Sequence, residues 1–124
     1  MPPVLALVLA VGLVACGGSG HSLYTLQKTR DCLVAKHVAL GGTLDFVATT
    51  ATGGALRARL PPNFVTIAFG ATTADADNID QAYRSFHARN VGINDVLRQQ
   101  GNAVMLWHEH PSDADLATIT NCLK

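Results

Sequence analysis

The sequence predicts an α+β domain: about four strands in a mixed or antiparallel sheet, with helices packed on it in two layers, in the order α-β-β-β-α-β-α. Three observations predict it. Strand-like runs at 55–60 and 64–69 flank the turn Pro61-Pro62-Asn63. The runs FVTIAF and AVMLWH are apolar on both faces, as internal strands are. Segments of helical period precede, separate and follow these strands.

The first helix is expected over 22–39. Leu23, Leu26, Cys32 and Leu33 fall near one stripe there, while Lys28, Arg30, Asp31 and Lys36 lie mostly elsewhere. Ser22 is the expected N-cap, and Gly41-Gly42 the stop. Residues 44–50 alternate loosely and read as a first strand. Residues 55–60 put Leu56, Ala58 and Leu60 on one face and Arg57 and Arg59 on the other, and Gly53-Gly54 between these two strands is a hairpin signal. Residues 64–69 read as a central strand ended by Gly70. The second helix is expected over 75–90, with Ala76, Ile79, Tyr83 and Phe86 at three-to-four spacing. Asp75, Asp77 and Asp80 near its start and Arg84 and Arg89 near its end complement the helix dipole. Residues 91–101 carry Val91, Ile93, Val96 and Leu97, enough for a short helical turn, and Gly101-Asn102 breaks the chain. Residues 103–108 form the fourth strand. Residues 112–123 form the third helix, with Ser112 and Asp115 as a capping box and Leu116, Ile119 and Leu123 as its buried stripe.

The 124 residues carry 9 Lys plus Arg against 9 Asp plus Glu, a formal net charge of zero. That gives nucleic acid little to hold, since such binding rests on neutralising phosphates. It also leaves no polybasic membrane patch.

An apolar run over 4–15 is too short to cross a bilayer, which needs about 20 apolar residues, and fits a signal-peptide core. It ends in Leu13-Val14-Ala15-Cys16, which resembles the lipobox of bacterial lipoprotein precursors. The resemblance implies removal of residues 1–15, a lipid thioether on Cys16, and attachment to the outer side of the cell membrane or to the outer membrane. Residues 16–21 then hold the lipidated cysteine and a Gly/Ser tether, and residues 22–124 a single small domain. In that oxidising setting the remaining pair, Cys32 and Cys122, is expected to form a disulfide.

His108-Glu109-His110 is the most suggestive cluster for chemistry. Residues two apart on a strand share a face, so His108 and His110 could meet one metal ion, with further ligands drawn from His21, His37 or His87. Arg57 and Arg59 could meet an anion or an acidic partner. Gly17-Gly18-Ser19-Gly20-His21 falls one residue short of a nucleophile elbow, and Ser112 is better explained as a cap. Asp75, Asp77 and Asp80 lack the glycine and glutamate of a calcium loop. Trp107, Tyr83 and Phe86 read as core aromatics. The expectation is a non-enzymatic, membrane-tethered binding module with no cofactor. The alternatives are a metal-binding envelope protein using His108 and His110, or a small envelope enzyme with a site assembled from distant residues.

Overall fold

The computed structural model describes residues 23–87 and 92–124. The expected signal (1–15), Cys16 with its tether (16–21), the Ser22 cap and the end of the second helix lie outside those residues.

Five strands, not four, form one sheet: β1 (Ala39–Leu40), β2 (Ala55–Leu60), β3 (Asn63–Phe69), β4 (Leu97–Gln100) and β5 (Ala103–Trp107). The order is β1-β2-β3-β5-β4 and every pairing is antiparallel. The two runs that are apolar on both faces are internal, β3 at the centre and β5 beside it. The helices are α1 (Leu26–Ala35), α2 (Phe46–Thr49), α3 (Thr73–His87), α4 (Ile93–Val96) and α5 (Asp113–Cys122). The class is α+β as expected. Among the described residues, no helix is long and apolar enough to cross a membrane.

Helices lie on both faces of the sheet, which corrects the two-layer expectation. On one face Leu56, Ala58, Val65, Ile67, Phe69, Met105 and Trp107 meet Leu33 of α1 and Ile119 and Cys122 of α5. On the other, Ala68, Val104 and Leu97 meet Val47 of α2 and Ala76, Ile79 and Tyr83 of α3. The period-two alternation of β3 and β5 divides the two cores. Tyr83 and Trp107 are core aromatics, but Phe86 is 70% exposed and packs edge-on against Phe46, itself 73% exposed.

α1 starts three residues later than expected because tertiary bonds hold its approach extended. The side chain of Asn102 accepts from Tyr24 N at 2.7 Å and donates to Tyr24 O at 2.9 Å, as a neighbouring strand would. Thr25 N donates to Lys124 O at 2.6 Å, and Thr25 then caps the helix by accepting from Lys28 N. The helix also stops before Gly41-Gly42. His37 takes the left-handed conformation at φ 60°, while Val38 N bonds Leu33 O and His37 N bonds Val34 O, the double closure that usually employs glycine.

Residues 44–50 are not a strand. Asp45 accepts from Ala48 N at 2.9 Å and caps α2, so a local capping bond outweighs a loose alternation. Gly53-Gly54 is therefore a helix-to-strand turn rather than a hairpin. Residues 93–100 split into the helical turn α4 and the missed strand β4. Ser112 caps α5 as expected, accepting from Asp115 N at 3.1 Å.

Cys32 and Cys122 are disulfide-bonded, their Cα atoms 5.4 Å apart. The bridge ties α1 to α5 on one face of the sheet.

Candidate functional site: a pocket on the uncovered half of one sheet face

α3 crosses the second face only at one end, over the small residues Ala55 and Ala68 and over Val104. Among the described residues, two cross-sheet rows at the other end lie largely clear of α3, with the Leu97 end of the first still packed against its cluster. One runs Arg57–Thr66–Leu106–Leu97 through paired strands. The next joins Phe64 to His108, whose N–H donates to Phe64 O at 3.0 Å. Residues 43–45 rise on the β2 side and residues 92–96 on the β4 side. The result is a cavity of about 550 Å³ floored by Arg57, Phe64, Thr66 and Leu106 and rimmed by Asp45, Asp95, His108, Glu109 and His110. That volume falls in the range of small-molecule pockets.

Three side chains stack across the floor. The Arg57 guanidinium carbon lies 3.6 Å from the centroid of the Phe64 ring, reaching it from β2. The His108 imidazole lies 4.4 Å from the same ring at 14°, coming from the β5 side. A cation over an aromatic face gains about 0.5–2 kcal/mol, more as water is excluded. Arg57 also donates to Thr43 O at 3.2 Å. Its Nε is buried with no hydrogen-bond partner among the described residues. Gly42 sits against it: a Cβ there would stand 2.8 Å from Arg57 Cδ and 3.0 Å from Nε, so a residue without a side chain lets the arm lie flat.

The acidic groups have partners. Asp45 accepts from Ala48 N and from the Tyr83 hydroxyl at 2.9 and 3.0 Å. Asp95 Oδ1 is 2.6 Å from His110 Nδ1, an exposed contact worth little to stability. Glu109 stands exposed on the β5 side. Its backbone is clamped by buried Asn63, which accepts from Glu109 N and donates to Glu109 O, both at 3.0 Å.

The two histidines expected as a ligand pair take different partners. β5 ends at Trp107, so the alternation that would align His108 with His110 stops one residue early. His108 stacks on Phe64 while His110 turns to Asp95. No group of three or more His, Cys, Asp or Glu suited to a metal ion occurs among the described residues. Arg57 lines the pocket whereas Arg59, on the same strand face, is exposed. The Ser112 hydroxyl is engaged as a helix cap. No sequence pattern marked Phe64, Asn63 or Asp95 as site residues. Asn63 closing a Pro-Pro turn was a usable signal, because asparagine side chains there commonly mimic backbone.

Burial, then the charge of Asp45 and the hydrogen bond to it, raise the Tyr83 hydroxyl well above its ordinary pKa of 10.0. The unfolded chain therefore ionises first. The stability linked to Tyr83 is complete below about pH 10 and is lost as the pH climbs from there towards the folded value. Urea midpoints between about pH 9 and pH 11 should fall less steeply in Tyr83→Phe than in the parent chain. Parallel slopes would show that the Tyr83 proton is not held this way.

The chain matches no family model. No curated protein and no solved structure is similar enough to it to count as a match. The site's geometry therefore carries the functional argument by itself.

Proposed function

We propose that the chain is a lipid-anchored envelope protein that binds a small molecule in this pocket without transforming it. The observation that carries the reading is the concavity of about 550 Å³ over the half of the sheet face left bare by α3. Its lining combines apolar Phe64, Leu106, Ile93 and Val96 with convergent polar groups, Arg57 and Thr66 on the floor among them, and ligand sites pair apolar surface with placed polar groups in this way. Among the described residues, the pocket's Asp95–His110 pair has no hydroxyl or thiol bonded to it, which favours binding over nucleophilic chemistry. Net charge of zero favours a small or protein ligand over nucleic acid.

The anchor rests on Leu13-Val14-Ala15-Cys16 and the tether after it. A diacylated cysteine holds a domain at a bilayer where a single chain would exchange. Replacing Cys16 with Ser is therefore expected to move the protein from the membrane fraction to the soluble extracytoplasmic fraction or to stall it uncleaved, and globomycin should stall the parent precursor. Unchanged processing and membrane association of the variant would end the anchor reading. Binding is tested on protein extracted from its own membranes in mild detergent. Native mass spectrometry should show a non-covalent small-molecule adduct that Thr66→Trp, which fills the floor, removes. An adduct retained in Thr66→Trp, or none in the parent, would count against the pocket.

A further inference from the structure

We propose that Arg57 anchors the ligand's anionic end, and that the ligand is a small organic acid: one carboxylate on an apolar body. This inference rests on the pocket being a binding site.

Charge points to an anion. Arg57 is partly buried, and no carboxylate lies within ion-pair distance of it among the described residues. Of the five N–H donors a guanidinium carries, one meets a protein acceptor, the carbonyl of Thr43. A partly buried cation without a counter-charge carries a cost that grows with its burial, and proteins normally supply a partner. Here the nearby candidate is already engaged: Asp45 is taken by Tyr83 and Ala48 N. On the β5 side Asp95 is held by His110, and Glu109 sits exposed there, so negative charge gathers away from Arg57. An anion from outside is the group that completes the Arg57 end.

The Arg57 arm is also preorganised. The arm is held flat between Gly42 and the Phe64 ring, so little side-chain entropy is left to lose when a ligand arrives. A planar fork held this way matches a carboxylate with two parallel hydrogen bonds. One unpaired guanidinium balances one negative charge, which favours a carboxylate over a phosphate dianion. Beyond Arg57 the pocket offers Phe64, Leu106, Ile93 and Val96, which suit an aromatic or branched aliphatic body.

The test uses the full chain, labelled with nitrogen-15 and held in a non-ionic detergent, titrated in turn with benzoate, benzyl alcohol, acetate and phenyl phosphate. Benzoate should shift the amides of Thr66, Leu106 and His108 saturably, with a millimolar dissociation constant. Benzyl alcohol, acetate and phenyl phosphate should each bind at least about tenfold more weakly. Arg57→Gln should weaken benzoate about tenfold and leave benzyl alcohol unchanged, and Arg57→Lys should fall between. Equal binding of benzoate and benzyl alcohol in the parent chain, a comparison that needs no variant, would overturn the anion anchor and keep the pocket. Phenyl phosphate binding as tightly as benzoate would overturn the choice of carboxylate. Pocket amides unmoved by every probe would remove both the anchor and the binding site.

Discussion

Replacing Cys32 and Cys122 together with alanine is expected to cost about 4–5 kcal/mol of folding stability. The bridge closes a separation of 90 residues, nearly the whole described chain. In the chain-entropy picture the loss falls on the unfolded state, which regains the freedom of a long open loop. The folded state keeps its other ties between the same ends: Thr25 N to Lys124 O at 2.6 Å, Lys124 N to the Thr29 hydroxyl at 3.3 Å, and Leu33 packed with Ile119. The variant should therefore reach the same fold with a melting temperature lower by roughly 20–30 °C. Alanine is the right replacement because Cys122 is fully buried, where a serine hydroxyl would add a desolvation cost of its own. Denaturant unfolding of parent and variant measures the difference. A loss below about 1 kcal/mol would show that the ends are held by the sheet and not by the bridge.

The second large effect is expected at Asn102, 2% exposed in the turn between β4 and β5. Its side chain serves three backbone groups: it accepts from Tyr24 N at 2.7 Å and donates to Tyr24 O at 2.9 Å and to Gly70 O at 2.8 Å. Its own carbonyl accepts from Gly70 N at 2.8 Å. One amide thus joins the approach to α1, the end of β3 and the β4–β5 turn. Asn102→Ala leaves those groups without partners, and a buried unpaired polar group costs about 1–3 kcal/mol. An overall loss of about 3–4 kcal/mol is expected, with faster hydrogen exchange at Tyr24 and Thr25 as α1's approach loosens. Asn102→Asp should also be poor, since a carboxylate cannot donate to Gly70 O or Tyr24 O. A loss below about 1 kcal/mol with unchanged exchange at Tyr24 would show that water replaces the amide.

Much of the fold was legible because binary patterns reported it. The doubly apolar runs of β3 and β5 are the inner strands, and the alternation of β2 sends Arg57 to the opposite face from Leu56 and Ala58. The disulfide was legible from an even pair of cysteines once Cys16 was assigned to lipid. Residues 44–50 misled because alternation over a short run is weak evidence, and the capping bond of Asp45 decides the matter locally. Strand β4 was missed because Arg98, Gln99 and Gln100 carry no apolar period; its place comes from pairing with β5, which no local pattern announces. The pocket was half legible. Arg57 and His108 stood out as residue types, but Phe64 between them was read only as part of a central strand, and a stack reaching across neighbouring strands is a matter of register, not spacing. The metal pairing of His108 and His110 was read from strand alternation, and the strand ends at Trp107, one residue before His108.

Export and lipidation at Cys16 would set the compartment for the bridge, the tether and the pocket together. The most direct measurement is the intact mass of the protein extracted from the membranes of its own cells, taken before and after reduction. The expected species begins at Cys16, carries a diacylglyceryl group with or without a further acyl chain, and gains two hydrogens on reduction as Cys32 and Cys122 part. A chain still bearing residues 1–15, unlipidated and with all three thiols reduced, would contradict the anchored envelope protein described here.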